Sequence, residues 1–538
     1  MSRTTLSLIV SLLLISQFSS GQSRLSPDGV KLERTLQMID RLYVDDVETS
    51  RLTEVAIRAM LLELDPHSSY LDKEEVKAMN EPLQGNFEGI GISFNMLTDT
   101  LYVMEVISGG PSQKVGLMPG DKIIYVNDSL IAGIKMNNQD VIKKLRGPKG
   151  TTVDVKVLRR GTPQLLEFRI VRDKIPIYSI DASYMVDKQT GYIRLSRFGI
   201  NSSEEFLEAR KALKAQGMKN LILDLTGNGG GILQTASDIA DQFLGAGKLV
   251  VYTEGRNQPR QELRTTSAGS FEDGRLVILV DEGSASASEI VAGAVQDWDR
   301  GIVVGRRTFG KGLVQRQLPL PDGTMIRLTV ARYYTPTGRS IQKPYREGHI
   351  DEYHRDFYNR LQNGEMMHAD SIRFPDSLKF RTLVNGRTVY GGGGIMPDFF
   401  VPIDTNAVTD LHRNLIGRGI VNKLAIAEVD MNRQVMLKSY PDVRRFKSDY
   451  AIPESMIDRM KEMAHAEKLE WNDEQFRSSE KLIKLQIKAL MARDLFDSSA
   501  YFVIINDEND IFREGLRIIG NSSLYSKLLK GTSSVASK

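Results

Sequence analysis

The sequence predicts a multidomain α/β fold, with a strand-rich insert ahead of a layered α/β core and helical regions at either end. Three observations lead there. The chain has 538 residues, too many for one hydrophobic core and enough for about three or four folded units. The apolar runs Leu-Ile-Leu-Asp-Leu (221–225) and Leu-Val-Ile-Leu-Val (276–280) have the length of buried strands, and each feeds a small-residue turn and then a helical pattern. Between 85 and 172 the pattern switches to short strands separated by Gly and Pro.

The chain opens with Arg3, an apolar run over 6–15 and the small residues Ser19, Ser20 and Gly21. That is the layout of a secretory signal peptide, residues 1–21, cut after Gly21. A membrane anchor is the alternative, but the run is shorter than the roughly 20 residues of a spanning helix. No later stretch is long and apolar enough, so the mature chain is expected to carry no transmembrane span. The absence of cysteine excludes disulfides, thiol catalysis and cysteine-ligated metal, and it suits an exported protein in an oxidising compartment. Composition is that of an ordinary globular protein, at 41% apolar and 26% charged. The net charge of +3, with both signs interspersed, gives nucleic-acid binding no support.

Residues 22–84 read as a helical segment. Leu32, Leu36 and Ile39 keep one helical face, and Val55, Ala59 and Leu62 another. Asp-Pro-His-Ser-Ser-Tyr (65–70) then breaks the pattern, with His67 read as a turn residue rather than a catalytic one. In 85–172, Gly-Ile-Gly-Ile (89–92) precedes one strand, Gly-Leu-Met-Pro-Gly-Asp (116–121) precedes another, and 138–145 is a short amphipathic helix. In that order these motifs resemble a PDZ domain. The resemblance implies that the amides of Gly89, Ile90 and Gly91 hold a peptide's terminal carboxylate and that Ile92 to Phe94 pairs with the peptide. Val141 and Leu145 would line the side-chain pocket.

Residues 173–404 alternate strands and helices. Ser202 and Glu205 read as a capping box, opening a helix marked by Phe206, Arg210 and Leu213 and ended by Gly217. From 405 to 538 the chain is helical again, with Met456, Met460 and Met463 on one stripe and Ile483, Ile487 and Leu490 on another, both read as core. The last few residues, rich in Ser and Lys, read as frayed.

The chemistry centres on Ser286 in Gly-Ser-Ala-Ser-Ala-Ser-Glu (283–289) and Lys311 in Phe-Gly-Lys-Gly (309–312), with Gln315 four residues on. A serine at a strand-to-helix turn presents its hydroxyl outward, and a neutral lysine can take its proton without any histidine. To act near neutral pH the lysine pKa must fall from ~10.4 towards ~7–8, and apolar neighbours supply the desolvation. Gln315 could hold the amine without adding charge. The Ala287 amide at the helix start is one oxyanion donor, and Gly229 or Gly230 in Asp-Leu-Thr-Gly-Asn-Gly-Gly-Gly (224–231) is the other. Glu289 could orient the helix start or the lysine loop, or serve only the helix dipole. The bland alternatives are serines as caps, a lysine on the surface and glycines in a tight turn. Phosphate binding is disfavoured because the glycines lack a P-loop's Gly-Lys-Ser/Thr ending. No metal or cofactor is implied.

Taken in order, these motifs are similar to those of the carboxy-terminal processing, or tail-specific, serine proteases over roughly residues 30–404. Gly-Gly-Gly-Gly-Ile-Met-Pro-Asp (391–398) resembles the end of their core. The resemblance implies a ClpP/crotonase-like α/β core, Ser286 as nucleophile, Lys311 as base, Gln315 as its positioning partner, and a PDZ domain that senses substrate C-termini. It also implies export, most naturally to the periplasm, and protein or peptide substrates with apolar C-termini. An adaptor or activator protein and a homo-oligomer are both compatible with it. Thr226 departs from the Arg of many relatives, and 343–385 and the region after 404 exceed a minimal member. Two other readings compete. One is a non-catalytic PDZ-bearing adaptor or chaperone, which would need none of Ser286, Lys311 and Gln315. The other is a crotonase-type acyl-CoA enzyme, which the leader sequence disfavours.

Overall fold

A computed structural model of the chain describes residues 26–532 apart from 98, 108, 268, 405 and 406; the expected signal peptide and frayed C-terminus lie outside the described residues. Two helices, Pro27–Leu42 and Thr49–Leu62, open the fold, and the first buries none of its residues. The short strand Ser69–Leu71 then joins the edge of a sheet, antiparallel to Met325–Tyr334. A third helix, Lys73–Gln84, has a complete capping box from Asp72 and Glu75 and ends at Gly85 in the left-handed region.

The strand-rich insert follows. Its sheet runs in the order Ile92–Leu97, Thr100–Val106, Lys122–Val126, Thr152–Leu158 and Leu166–Val171, with helix Asn138–Leu145 against one face. The strands Asn86–Gly89 and Asp173–Pro176 pair antiparallel, so the insert leaves and re-enters through one ribbon. Gly89 therefore belongs to a strand, leaving Ile90 and Gly91 to form the turn; Gly91 has φ +75°.

The core sheet has six strands in the spatial order Ile180–Met185, Thr190–Leu195, Asn220–Asp224, Leu276–Val280, Ile302–Gly305 and Phe399–Phe400. All pairs are parallel except the first. Every residue of Asn220–Asp224 and Leu276–Val280 is buried, because both faces are covered, and this is why the sequence reads as unbroken apolar runs. Leu221, Leu223, Leu276 and Ile278 pack against helices Ser202–Ala215, Leu233–Asp241 and Ala287–Asp297. The alternate residues Ile222, Val277 and Leu279 pack against Ile511, Phe512, Ile518 and Ile519 of helix Asp510–Gly520. The end of the chain thus supplies the second helical layer of this sheet. Helices between 410 and 505 form their own core around Leu424, Met456, Met460, Ile483 and Ile487. Among the described residues, no helix is long and apolar enough to cross a membrane.

One expected cap is not formed. Asn201, not Ser202, is the N-cap of helix Ser202–Ala215. The Ser202 hydroxyl accepts the Gly199 N–H at 2.8 Å, and Glu205 Oε2 instead accepts the N–H groups of Ser179 and Ile180 at 2.6 and 3.3 Å. The carboxylate is drawn to the amides at the start of the edge strand rather than to its own helix end.

Candidate active site

Strand Leu276–Val280 ends at Asp281, whose Oδ1 accepts the N–H groups of Gly227, Gly283 and Ser284. This ties the serine turn to the glycine loop. The flanking serines are structural: buried Ser284 donates to the Leu225 carbonyl and buried Ser288 to the Asn228 carbonyl, both at 2.8 Å. Ser286 is different. It is partly exposed, it precedes helix Ala287–Asp297, and its φ of +55° lies where side chains other than glycine rarely sit. Such a conformation costs roughly 1–3 kcal/mol and persists only when neighbours over-determine it.

Glu289 does much of that. Fully buried, it accepts the Ser286 and Lys311 backbone N–H groups on Oε2 at 2.8 and 2.9 Å. Its Oε1 accepts the Thr308 hydroxyl and the Gly310 N–H at 2.5 and 2.7 Å. Burial pushes its pKa up to about 7 despite these four donors. Tyr333 adds a second brace, its hydroxyl donating to the carbonyl oxygens of Ser286 (3.1 Å) and Lys311.

The Lys311 amine donates to Gln315 Oε1 at 3.2 Å rather than to Ser286. Gln315 in turn donates through Nε2 to the His67 carbonyl at 2.6 Å. The four-residue spacing is not helical, since Gln315 lies in strand Leu313–Pro319 next to a register shift between Val314 and Gln315. Burial, then the positive charge of Arg327, lowers the Lys311 pKa to about 8, against the opposing pull of Glu289 and Asp65. Ser286, Lys311, Gln315 and Gly229 to Gly231 line one cavity of about 500 Å³, with Met79 and Leu83 of helix Lys73–Gln84 on its wall. That helix is fastened to the insert by a 2.5 Å ion pair between Glu81 and Arg146.

The two candidate glycines are not equivalent. Gly230 has φ +100°, and a Cβ there would lie 2.7 Å from Ser286 Cβ and 2.9 Å from the Ala287 nitrogen. A Cβ on Gly229 would meet nothing within 4 Å. The Gly230 N–H donates to Asn228 Oδ1 at 2.9 Å. Ala287 occupies the first helical position, whose N–H has no intrahelical partner. In the insert, Ile90, Val141 and Leu145 are buried, and Ile92 and Phe94 pack against the same apolar cluster. This brings the strand and helix expected to receive a peptide side by side.

Sequence reasoning missed the residues that reach the site from far away. His67 sits in the expected turn, where Asp65 Oδ1 accepts its N–H and that of Ser68, yet its carbonyl also anchors Gln315. Its ring bonds the Tyr353 hydroxyl at 2.8 Å, and burial, reinforced by Lys311, lowers its pKa to about 3.

Residues 189–351 match Peptidase family S41, residues 89–170 match a PDZ domain, residues 14–75 match the N-terminal domain of the activating protease CtpB, and residues 411–497 match a family of unknown function. The chain is 38% identical over 305 residues to a carboxy-terminal-processing protease of Bartonella bacilliformis, covering 56% of this chain and 69% of that one. It is 35% identical over 316 residues to the carboxy-terminal processing protease CtpB of Bacillus subtilis, covering 58% and 65%. Among solved structures it is similar to a photosystem II D1 C-terminal processing protease, with 29% identity and a TM-score of 0.34, over 59% of this chain and 91% of that one.

Proposed function

The chain belongs to the carboxy-terminal processing proteases of peptidase family S41, and on that premise we propose that it is a serine endopeptidase working through Ser286 and Lys311. One observation carries the reading: a partly buried lysine amine, with a pKa near 8, is held by a neutral amide in the cavity that Ser286 enters. Lys311 in its neutral form takes the Ser286 proton as Oγ bonds to the scissile carbonyl carbon. The resulting ammonium gives that proton to the leaving amine as the C–N bond breaks. Water then releases the acyl group by the same route. Gln315 orients the amine as a neutral partner; a carboxylate there would stabilise the ammonium and keep the base protonated. The developing oxyanion sits at the start of helix Ala287–Asp297, facing the Ala287 N–H and the glycine loop.

The PDZ domain is proposed to receive apolar C-terminal tails along strand Ile92–Leu97, with the carboxylate at Ile90 and Gly91. Export is proposed from the basic, apolar and small-residue order of the leader.

The test incubates purified residues 22–538, and a Ser286→Ala variant, with a loosely folded protein ending in apolar residues. The same protein with a charged tail serves as comparison, and products are read by mass spectrometry. Cleavage that depends on the apolar tail and vanishes in Ser286→Ala supports the reading. Equal cleavage by both enzymes refutes Ser286, and tail binding without cleavage favours an adaptor.

A further inference from the structure

The stretch from 343 to 385 has no role in the chemistry just described, yet its first part grips the lysine loop on both sides. Before Lys311, the Arg360 guanidinium donates to the carbonyl oxygens of Thr308 and Arg307 at 3.2 and 2.5 Å. Glu365 holds that geometry by bonding both Arg360 (2.8 Å) and Arg307 (2.6 and 2.7 Å). Around the lysine, the Lys343 N–H donates to the Gly310 carbonyl at 2.9 Å. The adjoining Gln342 side chain accepts the Gly312 N–H at 2.8 Å.

From the same stretch Tyr353 reaches inward. It is 4% exposed, and the Lys343 ammonium sits 4.0 Å from the ring centroids of both Tyr353 and Phe309. Its hydroxyl bonds the His67 ring at 2.8 Å, the His67 carbonyl accepts Gln315 Nε2 at 2.6 Å, and Gln315 Oε1 accepts the Lys311 amine at 3.2 Å. The contacts form one continuous path from the Tyr353 hydroxyl to the Lys311 amine.

We propose that Tyr353 is a positioning residue for Lys311, acting through His67 and Gln315 to keep the amine oriented and shielded from water. This rests on the reading of Lys311 as the base. His67 is neutral in this environment, so the path transmits position and not charge. The charged groups around Lys311 come from other elements: Arg327 from strand Met325–Tyr334, Glu289 from helix Ala287–Asp297 and Asp65 from the turn before Ser69–Leu71. Lys343 acts on His67 from the stretch itself. Tyr353→Phe removes none of these charges. It frees the His67 ring, loosens the Gln315 anchor and admits water to the amine, so the ammonium becomes easier to form.

The test uses the full chain and reads Lys311 directly. Competitive acetylation by acetic anhydride is followed at the Lys311 peptide by mass spectrometry across roughly pH 6–11. In the wild type the amine should titrate near pH 8. In Tyr353→Phe the midpoint should rise by about one unit, with the acid limb of kcat/KM moving in parallel and KM unchanged. His67→Ala should give the same shift, and the double variant no more than either alone. An unchanged midpoint in Tyr353→Phe, even with a lower Tm, overturns the proposal while leaving the Ser286–Lys311 reading intact. Additive shifts overturn the path through His67. A wild-type midpoint near that of a free lysine sinks the base assignment, and this proposal with it.

Discussion

Glu289 accepts the backbone N–H of Lys311 at 2.9 Å and leaves the side-chain amine to Gln315. A buried carboxylate so close could have fixed the amine as an ammonium. Its donors are instead main-chain N–H groups and the Thr308 hydroxyl, so it locks the serine turn to the lysine loop without pairing with the amine.

Glu289→Gln keeps the shape but swaps one acceptor oxygen for a donor, which then faces either the Thr308 and Gly310 pair or the Ser286 and Lys311 pair of donors. Each buried group left unpaired costs about 1–3 kcal/mol. The variant should lose about 2–4 kcal/mol of stability and most of its activity. Urea unfolding measures the first, and full stability would show that the network does not hold these segments.

Activity should rise with pH through about 8 as the Lys311 ammonium gives up its proton. Gln315→Glu places a negative charge beside that amine and should raise its pKa by about 1–3 units. At pH 7 the variant should be slower by about tenfold or more, recovering in part at alkaline pH. A pH profile with the wild-type midpoint would refute the assigned contact.

Lys311 also leaves a mark on stability. Its pKa is near 8 folded and near 10.5 unfolded, so between those values the unfolded chain binds more protons and stability climbs with pH. Below pH 8 the full penalty for an ammonium in the cavity stands. Lys311→Met removes it and should exceed the wild type by about 2–3 kcal/mol at pH 7, an advantage gone by about pH 10.5. An equal gain at both pH values would rule out burial as the cause.

Gly230→Ala forces a side chain into a positive-φ position and against Ser286, so kcat should fall about a hundredfold or more. Gly229→Ala, with open space around its Cβ, should stay within about twofold. The reverse order of sensitivity would show that the loop turns differently near the serine.

What the sequence made legible is what leaves a local trace. Helix Asn138–Leu145 has its two buried residues, Val141 and Leu145, four apart, and strand Leu276–Val280 is unbroken because both its faces are buried. Ser286, Lys311 and Gln315 are singled out by the chemistry those residue types can perform together, and the fold does bring all three to one cavity. Ser202 and Glu205 misled because a capping box is a matter of dihedral angles, and residue types report those only indirectly. Gly229 and Gly230 could not be separated, since the difference between them is conformation. His67 and Gln315 stand 248 residues apart, and His67 and Tyr353 stand 286 apart. No period or motif records such contacts. Likewise Ile511 and Phe512 carry the same amphipathic pattern whichever core they face.

The late arrival of helix Asp510–Gly520 has a consequence for the order of synthesis. The central strands of the six-stranded sheet are complete at Gly305, but the helix that covers their second face starts 205 residues later (510 − 305). At about 5–20 residues per second a ribosome needs roughly 10–40 s to cross that gap. Throughout it Ile222, Val277, Leu279 and Val304 lack their cover, so one face of the sheet is left as bare apolar surface. A sheet whose strands are laid down early thus waits on a distant helix before its second face is sealed from water.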